Sequence, residues 1–187
     1  MSWTWERLGD HCKTGAGGTP KKGIKEFYEG GDIPWLLSGE VANRNITEAK
    51  NCITQYAIDH TSAKIYPSNS VLVAMYGATA GEVGMLRFPA ASNQAVCAIH
   101  PNENFVPDFL YYFFHSAKDK LVAQAVGNAQ PNISQAKIKD TPIPIIPLPE
   151  QERIVAKLDT AFAAIDTAKA NTERNLQNAK ELFQSKL

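Results

Sequence analysis

The sequence has few cysteines and no long hydrophobic run, and each absence excludes a class of protein. Its three cysteines, Cys12, Cys52 and Cys97, form no CxxC pair, and no nearby histidine gives them metal-ligand spacing. We therefore expect reduced, mostly buried thiols and no metal site. No apolar run approaches the roughly 18 residues that a membrane-spanning helix needs, and the first residues lack the features of a signal peptide. We expect a cytoplasmic protein that does not contact a membrane.

The sequence also lacks a charge excess. Its 19 Lys and Arg residues match its 19 Asp and Glu residues, which gives a net charge of zero. A protein that coats nucleic acid indiscriminately needs many phosphate contacts and is usually basic. The balance argues against that class of protein but allows a reader that presents a few basic loops.

The motifs of several enzyme classes are missing. There is no Walker loop, no G-x-G-x-x-G motif and no G-x-S-x-G nucleophile elbow. The Asn- or Asp-Pro-Pro-aromatic signature of an amino-methyltransferase is absent as well. The histidines are isolated from one another in the sequence: His11, His60, His100 and His115. We therefore expect no catalytic residues in this chain.

What is present divides into two regions near residue 148. In residues 1–148, short apolar runs are interrupted by Gly, Pro and Asn, as in a globular domain. Beyond them Gly is absent, and Pro occurs only at Pro149. We predict a globular domain over residues 1–148 and a long helix over residues 149–187.

The first region mixes predicted strands with a helix. Apolar runs bounded by turn residues predict strands, and Pro107 is well placed to begin a helix that stops at Gly127. This mixture indicates an α+β or α/β fold. The predicted strands are Ile33–Leu37, Ser70–Tyr76, Glu82–Phe88 and Ala95–His100.

Three further segments of this region have less regular patterns. Trp5–Cys12 fits a short helix or the approach to a strand. Gly15–Pro20 is predicted to be a loop, because its glycines suit positive φ and tight turning. Thr141–Ile146 is predicted to be an edge strand or an extended connector, because its two prolines cannot donate ladder hydrogen bonds.

The C-terminal segment has an apolar seam. Apolar and small residues recur at intervals of four and three over about four heptads. The helix would reach about 57 Å, more than a small domain can cover, so we expect it to pack on another helix and form a homodimer. The alternative is an amphipathic helix folded back on its own domain. The predicted interface residues are Ile154, Leu158, Ala161, Ile165, Ala168, Leu176, Ala179 and Leu182.

Several segments, taken in order, identify a resemblance to a known family. They are Trp5–Asp10, Gly17–Pro20, Ile33–Trp35, Gly77–Gly81, Val83–Gly84, Asn93–Gln94, Gly127–Ser134 and Ile143–Ile154. Their order and spacing across nearly the whole chain resemble the specificity subunit of Type I restriction-modification systems.

The resemblance implies an architecture. A complete subunit of that family has two target-recognition domains, each followed by a long helix, and the two helices pack as an antiparallel coiled coil that sets the distance between two half-sites. This chain has one predicted domain and one predicted helix. We therefore expect half of a specificity subunit, either a truncated chain or a natural half-length protein.

The resemblance also implies partners and a division of labour. The partners would be double-stranded DNA, modification (methyltransferase) subunits, a restriction subunit, and a second half-subunit or second copy of this chain. The modification subunit would bind S-adenosylmethionine and flip the target adenine. This chain would hold no cofactor and would choose the DNA sequence without catalysing a reaction.

Reading a DNA sequence needs donors and acceptors at base edges, with separate contacts to phosphates. Arg44 is the candidate for a guanine contact, and an ion pair with Glu40 or Glu48 is the alternative. The lysines after Gly15–Pro20 are candidates for contact with DNA, with a solvated turn as the alternative. The candidate DNA-binding residues are Gly18, Thr19, Lys21, Lys22, Lys25, Ser38, Asn43, Arg44, Tyr76, Thr79, Asn93 and Gln94.

Two of these groups also have a structural interpretation. Tyr76 and Thr79 could belong to a tight turn inside the core. Asn93 and Gln94 could bind adenine through their amides or cap the adjoining strand. Because motifs shared by readers of different sequences belong to the scaffold, the capping role is favoured.

Two other functions remain alternatives to DNA recognition. One is a coiled-coil assembly scaffold that does not read DNA itself, and it predicts the same long helix. The other is a fragment of a fused DNA methyltransferase, against which the absence of methyl-donor motifs counts.

Overall fold

The computed structural model describes residues 3–123 and 132–185. Its strands are β1 (Thr4–Arg7), β2 (Thr14–Ala16), β3 (Ile33–Leu36), β4 (Asn45–Ile46), β5 (Asn51–Ile53), β6 (Ile65–Tyr66), β7 (Val71–Ala74), β8 (Val83–Leu86), β9 (Ala90–Ser92), β10 (Val96–Ile99) and β11 (Pro142–Ile145). Its α-helices are α1 (Leu8–His11), α2 (Gln55–His60), α3 (Pro107–Ala123), α4 (Gln135–Asp140) and α5 (Leu148–Gln184). Short 3-10 turns occupy Lys25–Phe27, Ser38–Glu40 and Gly77–Thr79.

The predicted strands β3, β7, β8 and β10 and the start of α3 are confirmed. Trp5–Cys12 contains both of the structures considered for it, because β1 is followed directly by α1. The prediction of a loop over Gly15–Pro20 is wrong at its start, where β2 includes Gly15 and pairs with β10. The helix stop predicted at Gly127 lies outside the described residues.

The strands form two larger sheets and one small one. The five-stranded sheet has the order β2-β10-β7-β8-β4, and the four-stranded sheet has the order β5-β3-β9-β6. Most neighbours are antiparallel, but β3 pairs with β9 and β4 with β8 in parallel. The described part of the chain is therefore a mixed α and β domain, as predicted.

Strand β7 shows how the layers are built, because all four of its residues are buried. Val71 and Val73 face a core formed with α3, whereas Leu72 and Ala74 face a second core shared with the four-stranded sheet. Successive strand residues point to opposite faces, so a strand between two layers needs an uninterrupted apolar run. That requirement explains the Val-Leu-Val-Ala sequence.

The proline-rich segment is an edge strand, as predicted. Among the described residues, strand β11 pairs only with β1, in a two-stranded sheet, and its Pro144 lies opposite Trp5. A proline in such a strand costs little, because its missing N–H faces away from the single partner strand.

Helix α5 begins at Leu148, one residue before the predicted start, and continues to Gln184. Pro147 precedes it in an extended conformation, and Pro149 lies in its first turn, where the backbone N–H has no intrahelical partner and a proline is tolerated. A domain followed by a long C-terminal helix is thus confirmed. The pairing of this helix with another remains a prediction.

Two of the three cysteines are buried, as the sequence predicted for most of them. Cys12 and Cys97 are buried as predicted, whereas Cys52 is exposed. Within residues 3–123 and 132–185, no helix is both long and apolar enough to span a membrane. The same residues contain no cluster of His, Cys, Asp or Glu suited to a metal ion.

Candidate nucleic-acid interface

The candidate interface begins where two parallel strands end. Because β3 and β9 run in the same direction, the segments that follow them leave the same end of the four-stranded sheet. The amide of Asn93 donates to the carbonyl oxygen of Leu36 over 2.9 Å, and the amide of Gly18 donates to the carbonyl oxygen of Ser92 over 2.9 Å. Three loops therefore lie side by side.

A fourth segment joins them from the five-stranded sheet. The amide of Met75 donates to the carbonyl oxygen of Ala95 over 2.7 Å, which places the turn between β7 and β8 beside the loop that precedes β10. Segments far apart in the sequence thus meet at one border of the molecule. We call this border the loop edge, and it comprises residues 17–19, 37–40, 75–80 and 93–95.

Two glycines allow the loop edge to be this compact. A Cβ atom on Gly17 would lie 2.2 Å from the carbonyl oxygen of Asn93, and one on Gly18 would lie 2.4 Å from the amide nitrogen of Ala63. Neither glycine has a positive φ, so the conformation inferred from the sequence is wrong. Glycine is required here because the backbones pass too close for a side chain.

The loop that contains Thr19 is held by side chains of the neighbouring elements. The Trp35 indole Nε1–H donates to the carbonyl oxygen of Gly18 over 3.0 Å, and the Tyr28 hydroxyl donates to that of Pro20 over 2.6 Å. The Thr19 hydroxyl donates to the Gln94 side-chain oxygen. Thr19 and Gln94 are both exposed, so two predicted DNA contacts form one accessible polar pair.

Asn93 has the structural role that the sequence favoured. Its side-chain oxygen accepts a hydrogen bond from the amide of Ala95 over 3.1 Å, and the side chain is half-buried. This bond fixes the turn between β9 and β10, as asparagine commonly does in turns. Asn93 therefore shapes the loop edge beside its exposed neighbour Gln94.

Ser38 lies in a turn organised by Glu40. The Glu40 carboxylate accepts hydrogen bonds from the backbone amides of Leu37 and Lys50, each over 2.9 Å. Charged acceptors form strong hydrogen bonds, so this residue fixes the turn after β3 in place. Ser38 is thereby presented at the loop edge.

The turn between β7 and β8 also places side chains at the loop edge. Gly77 has a φ of 72°. Glycine adopts this left-handed conformation at little cost because it has no Cβ atom. The Thr79 hydroxyl donates to the carbonyl oxygen of Tyr76 over 3.4 Å. This turn is tight, as the structural interpretation predicted, yet the Tyr76 side chain is exposed rather than buried in the core.

The predicted lysines follow the loop edge in the sequence. Lys21 and Lys22 come directly after the anchored Pro20 and are exposed. Lys25 is also exposed, but its ammonium group lies 3.1 Å from the Glu29 carboxylate. The first two are therefore better placed than Lys25 to contact a phosphate.

Arg44 is bound by carboxylates other than the predicted ones. The alternative of an ion pair with Glu40 or Glu48 is wrong, since Arg44 Nη2 lies 2.9 Å from Asp108 and 2.7 Å from Asp159. Burial alone would lower the pKa of Arg44, but hydrogen bonds to both carboxylates raise it overall. Arg44 therefore stays charged inside a local ion network, and its predicted guanine contact stays a prediction.

Asn43 faces a separate polar concavity. It is exposed and helps to line a cavity of about 180 Å³ together with the Glu40 and Lys50 side chains. A Cβ atom on Gly84 would lie 2.2 Å from the carbonyl oxygen of Val41, so this loop crosses β8 closely. Asn43 thus lies beside the loop edge but outside it.

The first turns of α5 dock on the domain, which corrects part of the predicted interface. Ile154 and Leu158 are half-buried against the core that α3 shares with the five-stranded sheet. They are therefore partly occupied within their own chain, as the folded-back alternative predicted. The remaining interface residues are exposed: Ala161, Ile165, Ala168, Leu176, Ala179 and Leu182.

Gln151 anchors the docked turns, a role that its sequence pattern does not predict. It is fully buried. Its side-chain oxygen accepts from the amide of Val106 over 2.9 Å, and its side-chain nitrogen donates to the carbonyl oxygens of Asn104 and Ile146 over 2.9 and 2.7 Å. A buried amide with all these partners specifies one helix position. Its place within a segment shared with the family was the available signal.

The described residues thus form a mixed sheet domain that gathers polar loops at one edge and extends a long helix. Residues 2–177 match the family model described as the Type I restriction modification DNA specificity domain. This match covers most of the chain, so the chain belongs to that family, and the resemblance drawn from short segments is confirmed.

Curated relatives agree with this assignment. The chain is 31% identical over 160 residues to the Type I restriction enzyme EcoR124I/EcoR124II specificity subunit of Escherichia coli, with 83% of this chain and 40% of the relative aligned. It is 29% identical over 191 residues to the MjaIX specificity subunit of Methanocaldococcus jannaschii, with 98% of this chain and 43% of the relative aligned. The chain therefore spans less than half the length of these relatives.

Solved structures show the same fold. One solved structure is described as showing the structural basis of complex assembly and conformational transition of the type I R-M system. It matches this chain with a TM-score of 0.72 and 24% identity, and the match covers 94% of this chain and 43% of the matched chain. The crystal structure of the HsdS subunit from Thermoanaerobacter tengcongensis matches with a TM-score of 0.71 and 21% identity. This match covers 89% of this chain and 39% of that subunit.

Proposed function

We propose that this chain reads one half-site of double-stranded DNA and directs modification and restriction subunits to it, as half of a Type I specificity subunit. The observation that carries the proposal is the loop edge, where four separate segments of a family DNA specificity domain bring exposed polar side chains together. Chemistry belongs to the partner subunits in this proposal. The modification subunit binds S-adenosylmethionine, and this chain supplies no catalytic group.

The side chains of the loop edge suit base recognition. Thr19, Ser38 and Gln94 offer hydroxyl and amide groups that can donate to or accept from base edges in the major groove. Tyr76 adds an exposed aromatic ring with a hydroxyl group. The structural fixation of these loops by Trp35 and the neighbouring backbones reduces the ordering cost of binding.

Phosphate contacts come from the adjoining lysines in this account. Lys21 and Lys22 lie just beyond the anchored Pro20 and can neutralise phosphates beside the bases that the loop edge reads. Such contacts position a protein on DNA without carrying sequence information. Few are needed, which agrees with a chain of zero net charge.

We also propose that α5 pairs antiparallel with the α5 of a second copy or second half-subunit. Beyond its docked turns the helix exposes large apolar side chains, among them Ile165 (58%), Leu176 (56%) and Leu182 (64%). An unpartnered apolar seam of this size is unfavourable in water. In an antiparallel pair, each residue before the midpoint meets one the same distance beyond it.

The seam fits one antiparallel alignment well. Centred on residue 170, the alignment places Leu158 opposite the partner's Leu182 and Ala161 opposite the partner's Ala179. The alanine pair, Ala161 with Ala179, allows the two helices to approach closely. The leucine pair, Leu158 with Leu182, lies where α5 leaves the domain. An apolar cavity of about 310 Å³ lies there, lined by residues that include Trp3, Leu158 and Phe162, and the partner's helix end would cover it.

Selection from a random library of duplexes tests DNA recognition. The chain is incubated with the library, alone and with its cognate modification subunit, and bound duplexes are sequenced. We expect enrichment of a short defined sequence, with saturable binding to it at a salt concentration at which random duplex binds at least about a hundredfold more weakly. Binding without sequence preference in both conditions would reject DNA reading and favour the coiled-coil scaffold.

A further inference from the structure

An ion network lies where the long helix leaves the domain. Asp159, on α5, accepts hydrogen bonds from Arg44 Nη2 over 2.7 Å and from the Tyr112 hydroxyl over 2.5 Å. Arg44 comes from the loop before β4, and Tyr112 comes from α3. A single carboxylate thus links the helix to two separate elements of the domain.

Arg44 is held from several sides. Besides Asp159 it contacts Asp108 in the first turn of α3, with Nη2 and the carboxylate oxygen 2.9 Å apart. Its guanidinium carbon lies 4.8 Å from the centre of the Tyr112 ring, within the range of a cation–π interaction. Its Nε is buried and has no partner among the described residues. These contacts fix one orientation of the side chain.

A second arginine extends the network into the sheet. Arg87 follows β8, and its Nη2 lies 3.5 Å from Asp108. Its Nε donates to Asn45 over 2.7 Å, and its Nη1 donates to Asn69 over 3.2 Å. The end of the five-stranded sheet, the start of α3 and the root of α5 are therefore joined by one set of polar contacts.

The helix has no comparable support farther along. Phe162 stacks on the Tyr112 ring with centroids 5.6 Å apart and planes 6° apart, and every described residue beyond it is exposed. The polar contacts of Asp159 and the stacking of Phe162 therefore form the last turn that touches the domain. Burial and the bond to Asp159 raise the pKa of Tyr112 to about 12, so its hydroxyl remains a donor at neutral pH.

We propose that Arg44 is a positioning residue that, together with Asp159, fixes the direction in which α5 leaves the domain. In this role Arg44 does not contact a base. Three elements are linked in this way, through Asp159 on α5, Arg44 in the loop before β4 and Asp108 on α3. The helix therefore cannot swing without breaking a charge-assisted hydrogen bond.

The direction of the helix matters because the free part is long. From Phe162 to Gln184 the helix rises about 33 Å, so a swing of about 10° moves its end by about 6 Å. DNA rises about 3.4 Å per base pair, and the displacement equals about two base pairs. If the proposed function holds, Arg44 thereby contributes to the spacing between half-sites.

Pulsed electron spin resonance distances on the DNA-free chain test the role directly. One label is placed on the exposed Cys52 and the other on Gln177→Cys, which faces away from the seam. Excess unlabelled chain is added to suppress distances between copies. We expect one narrow distance distribution for the parent chain. In Arg44→Met the distribution should broaden or shift by about 4 Å for each 10° of swing, because the label lies about 22 Å along the helix from Phe162.

Further variants separate positioning from general instability. Asp159→Asn should broaden the distribution as Arg44→Met does, and the double variant should add little, because both remove the same interaction. Tyr112→Phe removes only the hydroxyl donor and should have a smaller effect, and Arg44→Lys should restore part of the narrow distribution. Arg153→Met is the control, since Arg153 pairs with Glu150 on the same helix.

The outcomes decide the proposal without reference to DNA binding. Broadening in Arg44→Met and Asp159→Asn, with an unchanged distribution in Arg153→Met, supports positioning. Unchanged distances in both network variants, with folded far-ultraviolet spectra, would overturn it. If such variants also lost binding to the selected duplex, Arg44 would be a DNA contact instead, and the proposed function would survive.

Discussion

Replacing Ile165 and Leu176 together with glutamate is expected to convert a dimer of this chain into monomers at tens of micromolar. Both side chains are exposed on the projecting part of α5, so the double variant should leave the domain folded. Complete burial of such a side chain is worth about 1.5–3 kcal/mol. Losing only 3 kcal/mol across the dimer would raise its dissociation constant by about a hundredfold.

Sedimentation equilibrium of the parent chain and the variant measures this effect. A matched control is Thr167→Glu with Gln177→Glu, which adds the same charge on the face opposite the seam, as the 3.6-residue period of the helix requires. The control should remain dimeric. A monomeric parent chain, or dissociation of both double variants alike, would contradict pairing through the seam.

Replacing Gly17 with alanine should destabilise the domain by about 3 kcal/mol, the upper end for forcing extra atoms into a packed site. The new Cβ would lie 2.2 Å from the carbonyl oxygen of Asn93 and 2.3 Å from that of Ser92. Both obstacles are backbone atoms, which cannot move without disturbing β9 and the loop that follows it. The melting temperature of the domain should fall by about 6–12 °C.

Thermal unfolding followed by circular dichroism measures the difference. Gly39→Ala is the control at the same loop edge, because nothing lies within 4 Å of its added Cβ and its φ is not positive. It should change the melting temperature little. Equal effects of the two substitutions would show that the close approach of the backbones at Gly17 has no energetic weight.

The sequence predicted the elements whose signal is local. Strand β7 is an unbroken apolar run because both its faces are buried, and that pattern is visible without a structure. Helix α5 was equally clear, because the seam repeats over many turns and Pro149 marks its start. For the same reason, the family resemblance could rest on short segments in a fixed order.

The features that the sequence did not disclose depend on contacts between distant segments. Arg44 finds its partner Asp108 at a separation of 64 residues, whereas the sequence offered only nearby carboxylates. Gln151 lies among charged helix residues and gives no sign of burial, since its partners come from other elements. Gly17 resembled a turn glycine, because the sequence of one segment does not show that the backbone of another segment passes close to it.

The helix itself combines both predicted alternatives. Its first turns dock through Gln151, Ile154 and Leu158, and its remainder extends away from the domain with its seam exposed. Periodicity could not reveal the point of departure, because the heptad pattern continues through it. The contacts of Asp159 and Phe162 define that point.

The proposal that the loop edge faces DNA is tested most directly by site-specific photocrosslinking. Tyr76 and Tyr56 are both exposed, at 37% and 48%, and each can be replaced by p-benzoylphenylalanine with little change in shape. Tyr76 lies on the loop edge. Tyr56 follows β5, which runs antiparallel to β3 and so ends at the opposite end of that sheet.

Each variant is irradiated in complex with the duplex enriched from the random library, and covalent adducts are resolved by denaturing electrophoresis. We expect the variant at Tyr76 to form a DNA adduct that excess unlabelled specific duplex suppresses, while the variant at Tyr56 forms none. Adducts from Tyr56 without adducts from Tyr76, with both variants binding the duplex as the parent chain does, would contradict the account.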